Sequence, residues 1–109
     1  MRQAAIYRNG ELAGILSEEN KNNYVFRYNT TYFTDKDKPA VSLTIPKAQQ
    51  EYKIDYLFPF FFNMLSEGVN RQLQCKLLRI DEEDDFGLLI ATAQYDTIGA
   101  ITVKPLLQK

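Results

Sequence analysis

Apolar residues are densest between Asp55 and Arg71, where aromatic and aliphatic side chains follow one another with few polar breaks. Wound at about 100° per residue, Leu57, Phe61, Met64 and Leu65 fall on one face, with Phe58 and Phe62 widening it to one side and Tyr56 and Phe60 to the other. A helix lying on a small domain needs an apolar stripe only about 100° wide. This arc is wider, so the pattern predicts a central helix covered on more than one side, by the rest of the chain or by a partner. Asp55 is its candidate N-cap. Pro59 fits only if the helix starts late enough to hold it in the first turn, where a missing N–H costs little.

Upstream, the pattern is that of strands. Ala4 to Arg8 and Glu11 to Leu16 flank Asn9-Gly10, which supplies the two positive-φ positions of a type I′ hairpin turn. Ser17 to Asn23 is a polar connector, and Tyr24 to Tyr28 has the β-branched and aromatic content of a third strand, with Tyr24, Phe26 and Tyr28 on one face. Asn29 to Pro39 reads as a solvated, charged loop holding at most a helical turn. Val41-Ser42-Leu43-Thr44-Ile45 alternates apolar and polar, which predicts a half-buried strand ended by Pro46. Lys47 to Lys53 is polar.

Downstream, Ser66-Glu67-Gly68 interrupts the apolar run, with Gly68 suited to ending one helix and Glu67 to starting the next. Val69, Leu73, Leu77 and Ile80 recur at helical spacing as a buried face, leaving Arg71, Gln72, Lys76 and Arg79 for solvent or a partner. The acidic run Asp81 to Asp85 reads as a solvated loop whose last carboxylates cap a third helix, with Phe86, Leu89, Ile90 and Ala93 facing inward. Ile98 to Val103 is strand-like, and Pro105 is expected to stop it. Strands, then about three helices, then a closing strand describe an α+β domain, a small antiparallel sheet covered by helices, expected as a single domain over residues 1–109.

Charge and composition narrow the function. Thirteen Lys and Arg against fourteen Asp and Glu give a net charge of −1, without the basic excess that direct nucleic-acid binding uses. The single cysteine, Cys75, excludes an internal disulfide and reads as a small buried hydrophobe. With no apolar signal core or membrane-spanning run, the expected location is the cytoplasm. Histidine is absent, which excludes Ser-His-Asp and Cys-His nucleophile systems and His-containing metal sites. No spacing in the chain argues for a carboxylate enzyme, and no cofactor is expected.

Asp85-Phe86-Gly87 spells the magnesium-binding tripeptide of protein kinases. Phosphoryl transfer also needs a phosphate-covering loop, a charge-pairing lysine and a catalytic Asp with a downstream Asn, and this chain offers no such set. The expected roles are a helix-capping aspartate and a core phenylalanine.

Taken together, Asn9 to Gly14, Phe26-Arg27-Tyr28, Val41 to Pro46, Phe58 to Gly68 with Arg71, Asp85-Phe86 with Leu88-Leu89, and Asp96 with Gly99 to Val103 occur in a characteristic order. In that order they resemble the N-terminal subdomain of HipA-type serine/threonine kinase toxins, along essentially the whole chain. Ser66 stands where that family often has proline, and Ala93 to Asp96 lacks the family's usual glycine before the aspartate.

In the full toxins this subdomain leads into a kinase core, which would begin where this chain stops after Lys109. The resemblance therefore implies a detached subdomain, similar to the small HipS-like antitoxin of tripartite HipBST systems. It implies a non-enzymatic antitoxin that binds and inhibits a separately encoded HipA-like kinase. The alternatives are a subunit that completes or activates a split kinase, or one that bridges it to a HipB-like helix-turn-helix protein. The expected contact surface is the corner from Asn63 to Arg71. Phe60 or Phe62 would be the apolar anchors and Glu67 and Arg71 the polar specificity contacts, with Asn63 and Ser66 on the same contact surface.

Overall fold

The computed structural model describes residues 2–92 and 100–106. Asn9 and Gly10 take φ of 51° and 81°, the left-handed pair the hairpin requires, and join β1 (Arg2–Arg8) to β2 (Glu11–Asn20). β2 runs past the expected end at Leu16, so Ser17 to Asn20 is ladder and not connector. The turn into β3 (Asn23–Tyr28) is correspondingly short. With β4 (Glu51–Ile54) and β5 (Ile101–Leu106), these strands form one antiparallel sheet in the order β4-β3-β2-β1-β5.

The core face of the sheet carries Ala4, Ile6, Leu16, Tyr24, Phe26, Tyr28, Ile101 and Val103, all buried. Gly14 has a packing reason to be glycine, because a Cβ there would stand 2.5 Å from the Arg27 carbonyl and 2.7 Å from the Phe26 ring. That clearance gives the Phe26 ring room beside Gly14, and the ring meets Tyr28 edge to face at 4.9 Å. Helices α1 (Thr30–Thr34), α2 (Pro59–Phe62), α3 (Gly68–Leu78) and α4 (Asp85–Thr92) complete an α+β fold, as the pattern predicted.

Four local expectations fail for identifiable reasons. The stretch from Asp55 to Arg71 is not one helix. Proline disfavours helical backbone in the residue before it, and Phe58 is accordingly extended (φ −51°, ψ 132°) and serves as N-cap, with Pro59 in the first turn. Asp55 is exposed and lies outside the helix. The wide apolar arc is instead distributed over irregular backbone that buries Leu57, Phe58, Phe61 and Leu65 in different directions.

Val41 to Ile45 is not a strand either. The Tyr28 hydroxyl accepts from the Val41 N–H at 3.0 Å and donates to the Ile45 carbonyl, drawing both ends of the segment to one buried point. Ser42 and Ile45 pair across the resulting turn, and Leu43 at its tip is 99% exposed. The strand instead forms from the polar segment that follows. As an edge strand, β4 needs only the alternate residues Tyr52 and Ile54 packed on the core.

At the opposite edge, Pro105 does not end β5 but lies within it, opposite Ala4, because an edge strand tolerates a residue with no N–H to donate. Ala93, Ile98 and Gly99 lie outside the described residues. Cys75 is buried, as expected.

The fourth correction concerns α3. Val69, Leu73 and Leu77, read as a buried face, are 77%, 54% and 73% exposed, and Ile80 alone of that set is half-buried. The helix is turned the other way, and Cys75 is its one buried residue.

Candidate functional site

The orientation of α3 is set by polar contacts on its inward side. Arg71 was expected to face outward, yet its guanidinium donates to the Glu82 carbonyl from Nε at 3.2 Å and Nη2 at 2.6 Å. Nη2 also donates to Asp85 Oδ1 at 2.5 Å, so Arg71 ties α3 to the loop before α4 and to its first turn. Gln74 lies on the same inward side, with its Oε1 buried. Since Val69, Leu73 and Leu77 repeat every fourth residue, turning Arg71 and Cys75 inward turns that stripe outward.

The corner between α2 and α3 holds an open hollow of about 390 Å³. Phe62, Ser66, Glu67 and Arg71 line it, so four of the six residues expected at a contact surface are brought together. Gly68 makes the corner possible with φ of 60°, a left-handed conformation that a side chain would strain. Phe62 is 41% exposed and Glu67 is exposed, whereas Arg71 is largely committed to its internal partners.

The other two residues are elsewhere. Phe60 packs edge to face on Phe61 at 5.2 Å and lines a separate hollow with Val41, Leu43 and Ile101. Asn63 is exposed, caps α2 through its backbone N–H, and lines neither hollow.

An arginine near the start of the chain, which pattern reading missed, holds the other end of the acidic run. Arg2 donates to both carboxylate oxygens of Asp84, at 2.9 and 2.7 Å, and to Glu18 Oε1 at 2.8 and 2.6 Å. Its guanidinium also stands 5.4 Å from the centre of the Phe86 ring. Asp84 caps α4 by accepting the Gly87 N–H at 3.0 Å. Gly87 is required there, because a Cβ would come within 2.2 Å of that carboxylate.

The hydrogen bonds from Arg2 hold the Asp84 carboxyl below the usual carboxylate range, and the pairing raises the Arg2 pKa in turn. Burial, helped by the neighbouring Glu18 carboxylate, pushes the Tyr24 phenol up to about 12. No local signal in the sequence points to the Arg2–Asp84 pair, whose members are 82 positions apart.

Two of the five acids from Asp81 to Asp85 are thus held by arginines, and Asp81, Glu82 and Glu83 remain exposed. In the kinase-like tripeptide Asp85, expected to cap the helix, instead lies in its first turn and pairs with Arg71, the cap being its neighbour Asp84, while Phe86 is fully buried as expected and Gly87 packs on Asp84. Among the described residues there is no group of three or more His, Cys, Asp or Glu that could hold a metal ion. Nor is any helix there long and apolar enough to cross a membrane.

Sheet, helices and corner define a small α+β domain, and comparison with known proteins gives its family. The family model described as the HipA N-terminal domain matches residues 4–104, and the chain belongs to that family. A solved structure titled N-terminal domain of HipA toxin superposes with a TM-score of 0.72 at 25% sequence identity, covering 100% of this chain and 96% of that one. A protein of Haemophilus influenzae described as uncharacterized is 29% identical over 104 residues, 95% of this chain and 92% of its own length. The fold is therefore one related to toxin–antitoxin systems.

Proposed function

We propose that this chain is a non-enzymatic antitoxin that binds and inhibits a separately encoded HipA-like serine/threonine kinase. The observation that carries the reading is the outward apolar ridge of α3, on a fold shared with the N-terminal domain of a HipA toxin. Val69, Leu73 and Leu77 are not part of the core cluster among the described residues, and a solvent-facing apolar stripe is the usual mark of a contact surface. Membership of the HipA N-terminal domain family supports a kinase of the HipA class as the partner in this reading.

Inhibition follows if the docked domain blocks the kinase site or holds the kinase in an inactive arrangement. Co-expression tests it: the chain is expected to relieve the growth arrest caused by the kinase and to co-purify with it. Persisting arrest without a complex would remove the proposal. A complex in which phosphorylation of the kinase's substrate rises would show an activating subunit instead.

A further inference from the structure

The ridge of α3 has a charged border. At its start stands Glu67, and along one flank is an open hollow bounded by Gln72, Lys76 and the acids Asp81, Glu82 and Glu83. Of the carboxylates in the acidic run, Arg2 and Arg71 pair with those of Asp84 and Asp85, and these three acids are exposed. Around the ridge, among the described residues, four exposed carboxylates therefore stand against two exposed cations, Lys76 and Arg79.

A second copy of this chain is a poor occupant for such a surface. An 11-residue helix is about 16 Å long, and a stable interface buries on the order of 800 Å² per partner. Pairing two ridges would also bring two acidic borders together without compensation.

Resting on the antitoxin reading above, we infer that the ridge Val69, Leu73 and Leu77 seats in an apolar groove of the kinase. The rim of that groove carries Lys and Arg opposite Asp81, Glu82 and Glu83. A convex helix with apolar residues at i, i+4 and i+8 fits a groove as an amphipathic ligand helix does, and the apolar contacts supply affinity. The acids select a basic rim and hasten encounter, which makes binding sensitive to salt. Arg71, held by Glu82 and Asp85, ties the acidic loop to α3 and so fixes its place beside the ridge.

The test is the affinity for the purified kinase of wild type, Leu73→Glu, and a Glu82→Lys/Glu83→Lys double variant, each at low and high salt. These sites are exposed, so the variants are expected to fold, and circular dichroism with a thermal melt checks that; Leu77→Gln serves as a milder ridge variant. Leu73→Glu is expected to weaken binding by about tenfold or more. The double reversal is expected to weaken binding at low salt and to remove most of its salt dependence.

Folded ridge variants that bind within about twofold of wild type would overturn the inference, since an anchor of this kind costs more when lost. Loss with the ridge variants but none with the charge reversal would overturn the basic rim. A wild-type homodimer that Leu73→Glu dissolves would make a second copy the occupant and overturn it as well. Wild type that does not bind the kinase at all would defeat the antitoxin reading, and this inference with it.

Discussion

Tyr28 shows how one side chain can organise a loop. Its ring lies in the sheet core while its hydroxyl satisfies both the Val41 N–H and the Ile45 carbonyl. Tyr28→Phe would leave both backbone groups unpaired in a buried place, so a loss of about 1–3 kcal/mol is expected, measured from urea midpoints. Burial pushes the Tyr28 phenol up to about 12. An unfolded tyrosine titrates near about 10, so the folded state holds the proton longer. The stabilising contribution is therefore complete below that pH and is lost as pH rises towards 12. The alkaline limb of the stability profile should be shallower in Tyr28→Phe.

Asp84 has the opposite sign. Its folded carboxyl titrates below the ordinary value of about 3.9, because Arg2 stabilises the charged form. Its contribution is present above that value and fades as pH falls through the lowered one. Asp84→Asn should lower the stability at neutral pH and flatten the acid limb, read by denaturant titration between pH 2 and pH 7.

At the scale of elements, α2 and α3 divide the labour. Phe61, on a helix of only four residues, is fully buried and touches Phe26, Phe58 and Phe60. Phe61→Ala should cost about 3–5 kcal/mol by leaving a cavity. On α3, Val69→Thr and Leu77→Gln should each change stability by no more than about 0.5 kcal/mol, because their side chains already face water. Equal costs at both helices would contradict the orientation of α3. Periodicity found α3 correctly but assigned its sides the wrong way. An apolar stripe at helical spacing reports which residues share a face, not what that face meets. The direction came from Arg71, whose partners lie 11 and 14 positions away.

For the whole molecule, stability should be graded. β1 and β2 lie inside the sheet with ladders on both sides, whereas α3 rests on the body mainly through Cys75 and Arg71. In hydrogen exchange, amides of β1 and β2 should be the slowest and those of α3 among the fastest. Adding the kinase should protect α3 if the ridge is covered.

Local chemistry in the sequence sufficed for the Asn9-Gly10 hairpin, the Tyr24 to Tyr28 face, the capped α4 and the α+β class, since each depends on neighbours a few residues apart. It also marked the corner where Phe62, Ser66, Glu67 and Arg71 gather. Tertiary structure alone decided that Val41 to Ile45 folds into a turn, that a polar segment supplies the β4 edge, and that α3 shows its apolar side to solvent. Each of those outcomes depends on a contact across the fold, and periodicity along the chain cannot tell a face covered by its own domain from one left for another.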